Sequence, residues 1–144
     1  MSERGKVLIV EDDDDSRRGL QLALGASGYA VYESHNVGSA IAAIRAHKPD
    51  IILLDLGMSD GLHGRRLLTW LGSRQDCSPL PVIVISGASS THSIDEALAA
   101  GARRYFVKPV SLPKLLDAIE QLVPRRGVTP DALDRRRAGE LVGR

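Results

Sequence analysis

Five short apolar runs, each followed by a stretch with helical spacing, constrain the fold of this chain more than any other feature. The runs are residues 7–10, 30–32, 51–54, 82–85 and 105–107. Short runs rich in Val and Ile read as strands. The first, third and fourth lack clean alternation, which predicts burial on both faces, as in a parallel sheet. Between them lie helical stripes. Leu20, Ala23 and Leu24 form one, and Val37, Ala40, Ile41 and Ile44 follow the i, i+3, i+4, i+7 rule. Leu67, Trp70 and Leu71 form a third, and Ile94, Ala97, Leu98 and Gly101 a fourth. Leu112, Leu115, Leu116, Ile119, Leu122 and Val123 form the strongest. Gly28, Pro49, Gly72, Gly101 and Pro124 supply the stops. Five strand–helix alternations predict an α/β fold, an open, doubly wound parallel sheet with helices on both faces.

At 144 residues the chain has the length of one domain. Its 43% apolar and 26% charged residues suit a packed core. No apolar run approaches the ~18–20 residues of a membrane span. The opening MSERGKVLIV has no charged, then apolar, then small-residue pattern, and Cys77 is the single cysteine. A cytoplasmic location is therefore expected. A net charge of +1 argues against a general nucleic-acid binder. Residues 1–123 are expected to form the domain. Residues 124–144, with six arginines and three acids, are expected to be a basic tail without a core of its own.

In such a sheet the site lies beyond the carboxyl ends of the strands. Glu11, Asp12 and Asp13 follow the first strand, Asp55 the third, Ser86 and Gly87 the fourth, and Lys108 and Pro109 the fifth. They would converge if the first, third, fourth and fifth strands are neighbours. Neither GxGxxG nor GxxxxGK[ST] occurs, and acids stand where a nucleotide-binding turn would need glycines. Clustered carboxylates repel phosphate unless a cation lies between them. Their hard oxygens suit Mg²⁺. Each residue also has a plainer reading. Residues 11–15 read as the acidic first turn of a helix, Asp55 as a cap, and Lys108 as a solvated loop lysine. Joint placement at four strand ends favours the site.

The strings VLIVEDD (7–13), DIILLDLGM (50–58), PVIVISG (81–87) and GARRYFVKP (101–109) resemble the receiver domain of bacterial two-component response regulators. The resemblance spans about residues 5–123. It implies a flavodoxin-like fold with strand order 2-1-3-4-5. It implies that Asp55 is the phosphoacceptor and that Glu11 and Asp12 hold Mg²⁺, Asp12 directly and Glu11 through water, with the backbone carbonyl of Gly57. It implies that Ser86 is the switch hydroxyl, Lys108 the phosphate-pairing lysine and Tyr105 the aromatic switch. By the same analogy the Lys108–Pro109 bond is cis.

The implied partners are a sensor histidine kinase or a phosphotransfer protein as donor, and a downstream protein that the sequence does not name. The implied output surface surrounds the fourth helix, fifth strand and fifth helix, through which a homodimer can form. No direct nucleic-acid or membrane contact is expected. The chain departs from the family after Asp55: Ser59 follows Met58 where proline is common, and the turn through His63 and Gly64 is one residue longer. Two rivals are a phosphate-independent binding module and an aspartyl-phosphate phosphatase. The intact acids, Ser86 and Lys108 oppose the first. The second needs an acid two residues after the nucleophile, where Gly57 stands. The expectation is a signalling domain that assists its own phosphorylation and autodephosphorylation, with no external substrate.

Overall fold

The computed structural model describes residues 4–56, 61–73 and 80–123. The Gly57 carbonyl, Cys77 and the 124–144 tail lie outside the described residues, as does the His63 side chain. The elements are β1 (Lys6–Val10), α1 (Asp14–Ala26), β2 (Ala30–Ser34), α2 (Val37–His47) and β3 (Ile51–Asp55), followed by α3 (Gly61–Ser73), β4 (Val82–Ser86), α4 (Thr91–Ala99), β5 (Arg104–Val107) and α5 (Leu112–Leu122). All strand pairs are parallel, in the order β2-β1-β3-β4-β5.

The three central strands are buried on both faces, as their unbroken apolar runs predict. Alternate residues serve opposite layers. Leu8, Val10, Ile52, Leu54, Val82 and Val84 pack towards α2, α3 and α4. Val7, Ile9, Ile51, Leu53, Ile83 and Ile85 pack towards α1 and α5, against Leu24, Leu115 and Ile119. Burying a side chain of this size contributes about 1.5–3 kcal/mol.

Short polar side chains set the helix starts. Asp13 accepts from the Ser16 N–H at 2.8 Å, Asn36 from Ser39 at 2.8 Å, and Ser90 from Ser93 at 3.1 Å. Gly101, which the fourth stripe includes, lies past the end of α4 with φ +119°, a conformation that glycine adopts without strain. Among the described residues no helix is long and apolar enough to cross a membrane.

Candidate functional site

The strand order puts the carboxyl ends of β1, β3, β4 and β5 side by side, and the polar residues that follow them meet there. Glu11 is 2% exposed, Asp55 5% and Ser86 4%. One carboxylate oxygen from each of Glu11, Asp12 and Asp55 lies within 4.8 Å of the others. The Lys108 ammonium donates to Asp55 Oδ2 at 2.9 Å and to Glu11 Oε1 at 3.2 Å. The Lys108 backbone N–H donates to the Ser86 carbonyl at 2.8 Å, and the Lys108–Pro109 bond is cis.

The acidic run divides between its two readings. Asp13 caps α1, and Asp14 and Asp15 lie in its first turn, where the helix dipole favours negative charge. Glu11 and Asp12 instead cluster with Asp55. The bonds from Ser16 hold the Asp13 carboxyl below its ordinary pKa. Burial, reinforced by the hydrogen bond and charge of Asp55, pushes Glu11 from 4.5 up to about 7, against the pull of Lys108 and the Asp13 N–H. Burial pulls the Lys108 ammonium down, but its bonds to Asp55 and Glu11 outweigh that and raise its pKa.

Among the described residues, two cavities flank the site. One of about 310 Å³ opens between α1 and the turn after β5, lined by Glu11, Asp55, Lys108, Leu20, Val110 and Leu112. The other, of about 470 Å³, lies between α3 and α4 and is lined by Ser86, Ala88, Tyr105, Leu68, Arg65 and Glu96. Strand alternation explains the split. Glu11 and Asp55 continue the α1–α5 face of β1 and β3, whereas Ser86 continues the α2–α4 face of β4. The peptide groups of Ala88 join the second set: its N–H donates to Ser86 Oγ at 3.1 Å and its carbonyl accepts from Tyr105 Oη at 2.7 Å.

The response regulator receiver domain family matches residues 7–120. The chain belongs to this family. The receiver is 39% identical over 127 residues to the transcriptional regulatory protein CseB of Streptomyces avermitilis, covering 88% of this chain and 52% of that protein. It is 36% identical over 129 residues to the KDP operon transcriptional regulatory protein KdpE of Escherichia coli, covering 88% and 56%. The chain thus spans about half the length of these curated relatives. The receiver domain of Francisella response regulator 1452 superposes with a TM-score of 0.75 at 27% identity, covering 82% of this chain and 95% of that one.

The structure brings together Glu11, Asp12, Asp55 and Lys108, and places Ser86 and Tyr105 on the adjoining cavity. Sequence reasoning missed Arg17, whose guanidinium donates to the Glu11 carbonyl at 2.9 Å and pairs with Asp14 and Glu33. An arginine three residues after Asp14 was a signal in the sequence. Its partner on β2 was not.

Proposed function

We propose that this receiver accepts a phosphoryl group on Asp55 from a phosphohistidine of a sensor kinase or phosphotransfer protein, supported by Mg²⁺, and signals through Ser86 and Tyr105. The observation that carries this reading is the buried Asp55 carboxylate, held by the Lys108 ammonium at 2.9 Å and with an oxygen within 4.8 Å of oxygens of Glu11 and Asp12. A carboxylate oxygen of Asp55 forms the new P–O bond. The P–N bond to the donor imidazole breaks, and its electron pair returns to the ring nitrogen. The cavity beside α1 gives the donor room to approach.

Glu11, Asp12 and Asp55 fit a hard divalent cation, since they offer three clustered oxygens and Lys108 offsets only part of their charge. When bound, Mg²⁺ would supply neutralisation of the repulsion between the nucleophile and the incoming phosphoryl oxygens. Lys108 pairs with a second phosphoryl oxygen. The Ser86 hydroxyl donates a hydrogen bond to a third. As Ser86 Oγ moves, it carries the Ala88 peptide with it, and Tyr105 loses or shifts its acceptor.

The test is incubation with acetyl phosphate and Mg²⁺, followed by intact-mass measurement and borohydride trapping. One phosphoryl group on Asp55 is expected. Label on another residue, or none, sinks the reading. Ser86→Ala is expected to keep the label on Asp55 but to blunt the beryllofluoride-induced chemical-shift changes in α4 and β5. An undiminished response would remove Ser86 from the switch.

Metal affinity is expected to follow the Glu11 proton. From pH 4.5 to about 7 the folded chain retains a proton on Glu11 that the unfolded chain sheds. Without metal, this group's contribution to stability therefore falls as pH rises through that window. Glu11, which would meet the metal through water, attracts the cation only once its proton has left, so its ionisation favours binding. Calorimetric titration is expected to show Mg²⁺ binding about tenfold weaker at pH 6 than at pH 8. Glu11→Gln is expected to remove that dependence. An affinity flat from pH 6 to 8 in the unaltered chain contradicts it.

A further inference from the structure

We propose that Arg17 is a positioning residue for the acidic pair, fixing the peptide between Glu11 and Asp12 so that both carboxylates face the metal site. The inference rests on the Mg²⁺-supported phosphoacceptor reading. Arg17 lies in the first turn of α1, and its side chain is only 18% exposed, whereas its neighbour Arg18 is exposed. Each of its three nitrogens has its own acceptor. Nη1 donates to the Glu11 carbonyl at 2.9 Å, Nε pairs with Glu33 Oε1 at 3.3 Å, and Nη2 pairs with Asp14 Oδ1.

The three acceptors come from three places in the fold. Asp14 belongs to α1 itself. Glu33 belongs to β2, where it stands opposite Ile9 of β1 in the sheet register. The Glu11 carbonyl begins the peptide that leads to Asp12. The Glu11 N–H is already fixed by the Ser34 carbonyl at 3.0 Å. With its carbonyl held by Arg17, neither backbone polar group of Glu11 is left to rotate. Turning that peptide plane would swing Asp12 away from Glu11 and Asp55. A planar guanidinium fork meets three acceptors at once, and an ammonium on a flexible stem does not. Arg17 touches none of the reacting atoms. It acts through the backbone, in the manner of outer groups that orient metal ligands.

Charge and positioning make opposite predictions. By its field alone, Arg17 opposes a nearby cation, so losing it would tighten Mg²⁺ binding. If it positions the pair, losing it weakens binding. The experiment is calorimetric Mg²⁺ titration of the full chain at pH 8 for the unaltered protein, Arg17→Gln, Arg17→Lys and Arg18→Gln. Each is also melted in EDTA. Arg17→Gln is expected to bind about tenfold more weakly. Arg17→Lys, which keeps the charge, is expected to bind weakly too. Arg18→Gln is expected to match the unaltered chain or bind slightly more tightly. The Mg²⁺ concentration giving half-maximal Asp55 labelling by acetyl phosphate should rise by a similar factor, with the saturated rate changed less than about twofold.

Unchanged or tighter Mg²⁺ binding in Arg17→Gln overturns the role of Arg17, as does a lowered melting temperature with unaltered affinity. If Arg17→Gln does not fold, Arg17→Lys decides by the same criteria. Failure of the unaltered chain to bind Mg²⁺ overturns the phosphoacceptor reading beneath it, which is a distinct result.

Discussion

Asp55→Asn is expected to abolish phosphoryl incorporation and, in the same protein, to raise its thermal stability. The amide has nearly the shape of the carboxylate but forms no acyl phosphate, so the label should fall to background. The stability gain comes from the crowding of charge. Three acids share the site with one ammonium, and Asp55 contributes to raising Glu11 to about 7. Removing one charge relieves that repulsion. The Asn oxygen still accepts from Lys108, which also keeps its bond to Glu11. A net gain of about 1 kcal/mol is expected, or roughly 3–6 °C in melting temperature for a domain of this size. Melting in EDTA at pH 8 checks the sign. A lower melting temperature would mean that the charge-assisted bond from Lys108 outweighs the repulsion.

Lys108→Ala is expected to act in the opposite sense on stability. It leaves Glu11 and Asp55 buried together with no ammonium between them. Removing one member of a buried pair costs about 3–5 kcal/mol when the remaining charge cannot escape. Here it can escape in part, because Lys108 is 37% exposed and Glu11 readily takes a proton. A loss of about 2 kcal/mol at pH 8 is expected. The loss should shrink at pH 6, where a protonated Glu11 needs no counter-ion. On the proposed reading the labelling rate should fall by about 10²-fold, since the ammonium that would meet developing phosphoryl charge is gone. Lys108→Arg, which keeps the charge, should recover part of both. Equal losses at pH 6 and pH 8 would show that the destabilisation is not electrostatic.

The central strands were legible because burial on two faces forces an uninterrupted apolar run. Residues 7–10, 51–54 and 82–85 lie within β1, β3 and β4, each of which extends one residue further. The edges were less legible. The apolar run at 30–32 stops short of Glu33 and Ser34, which β2 includes, because an edge strand is held by backbone pairing with Ile9 and Val10 rather than by apolar side chains. Arg104 begins β5 for the same reason, paired with Ile83. In the candidate site, Glu11, Asp12, Asp55 and Lys108 stood out by their places at strand ends, but their convergence needed the strand order, which alternation alone does not give. The roles drawn for Arg17 and Ala88 did not stand out. One depends on a partner in another strand, and the other is a peptide group that carries no side-chain signature.

Because neighbouring positions along each strand point to opposite layers, the sheet sets one cavity on each of its faces, both reaching its carboxyl edge. Asp55 opens into the chamber beside α1, and Ser86 and Tyr105 into the one between α3 and α4. On the proposed reading, the phosphoryl group on Asp55 would be the one element that both sides share. A donor approaching over α1 would, on that reading, leave the α4 side free to rearrange while it is still seated.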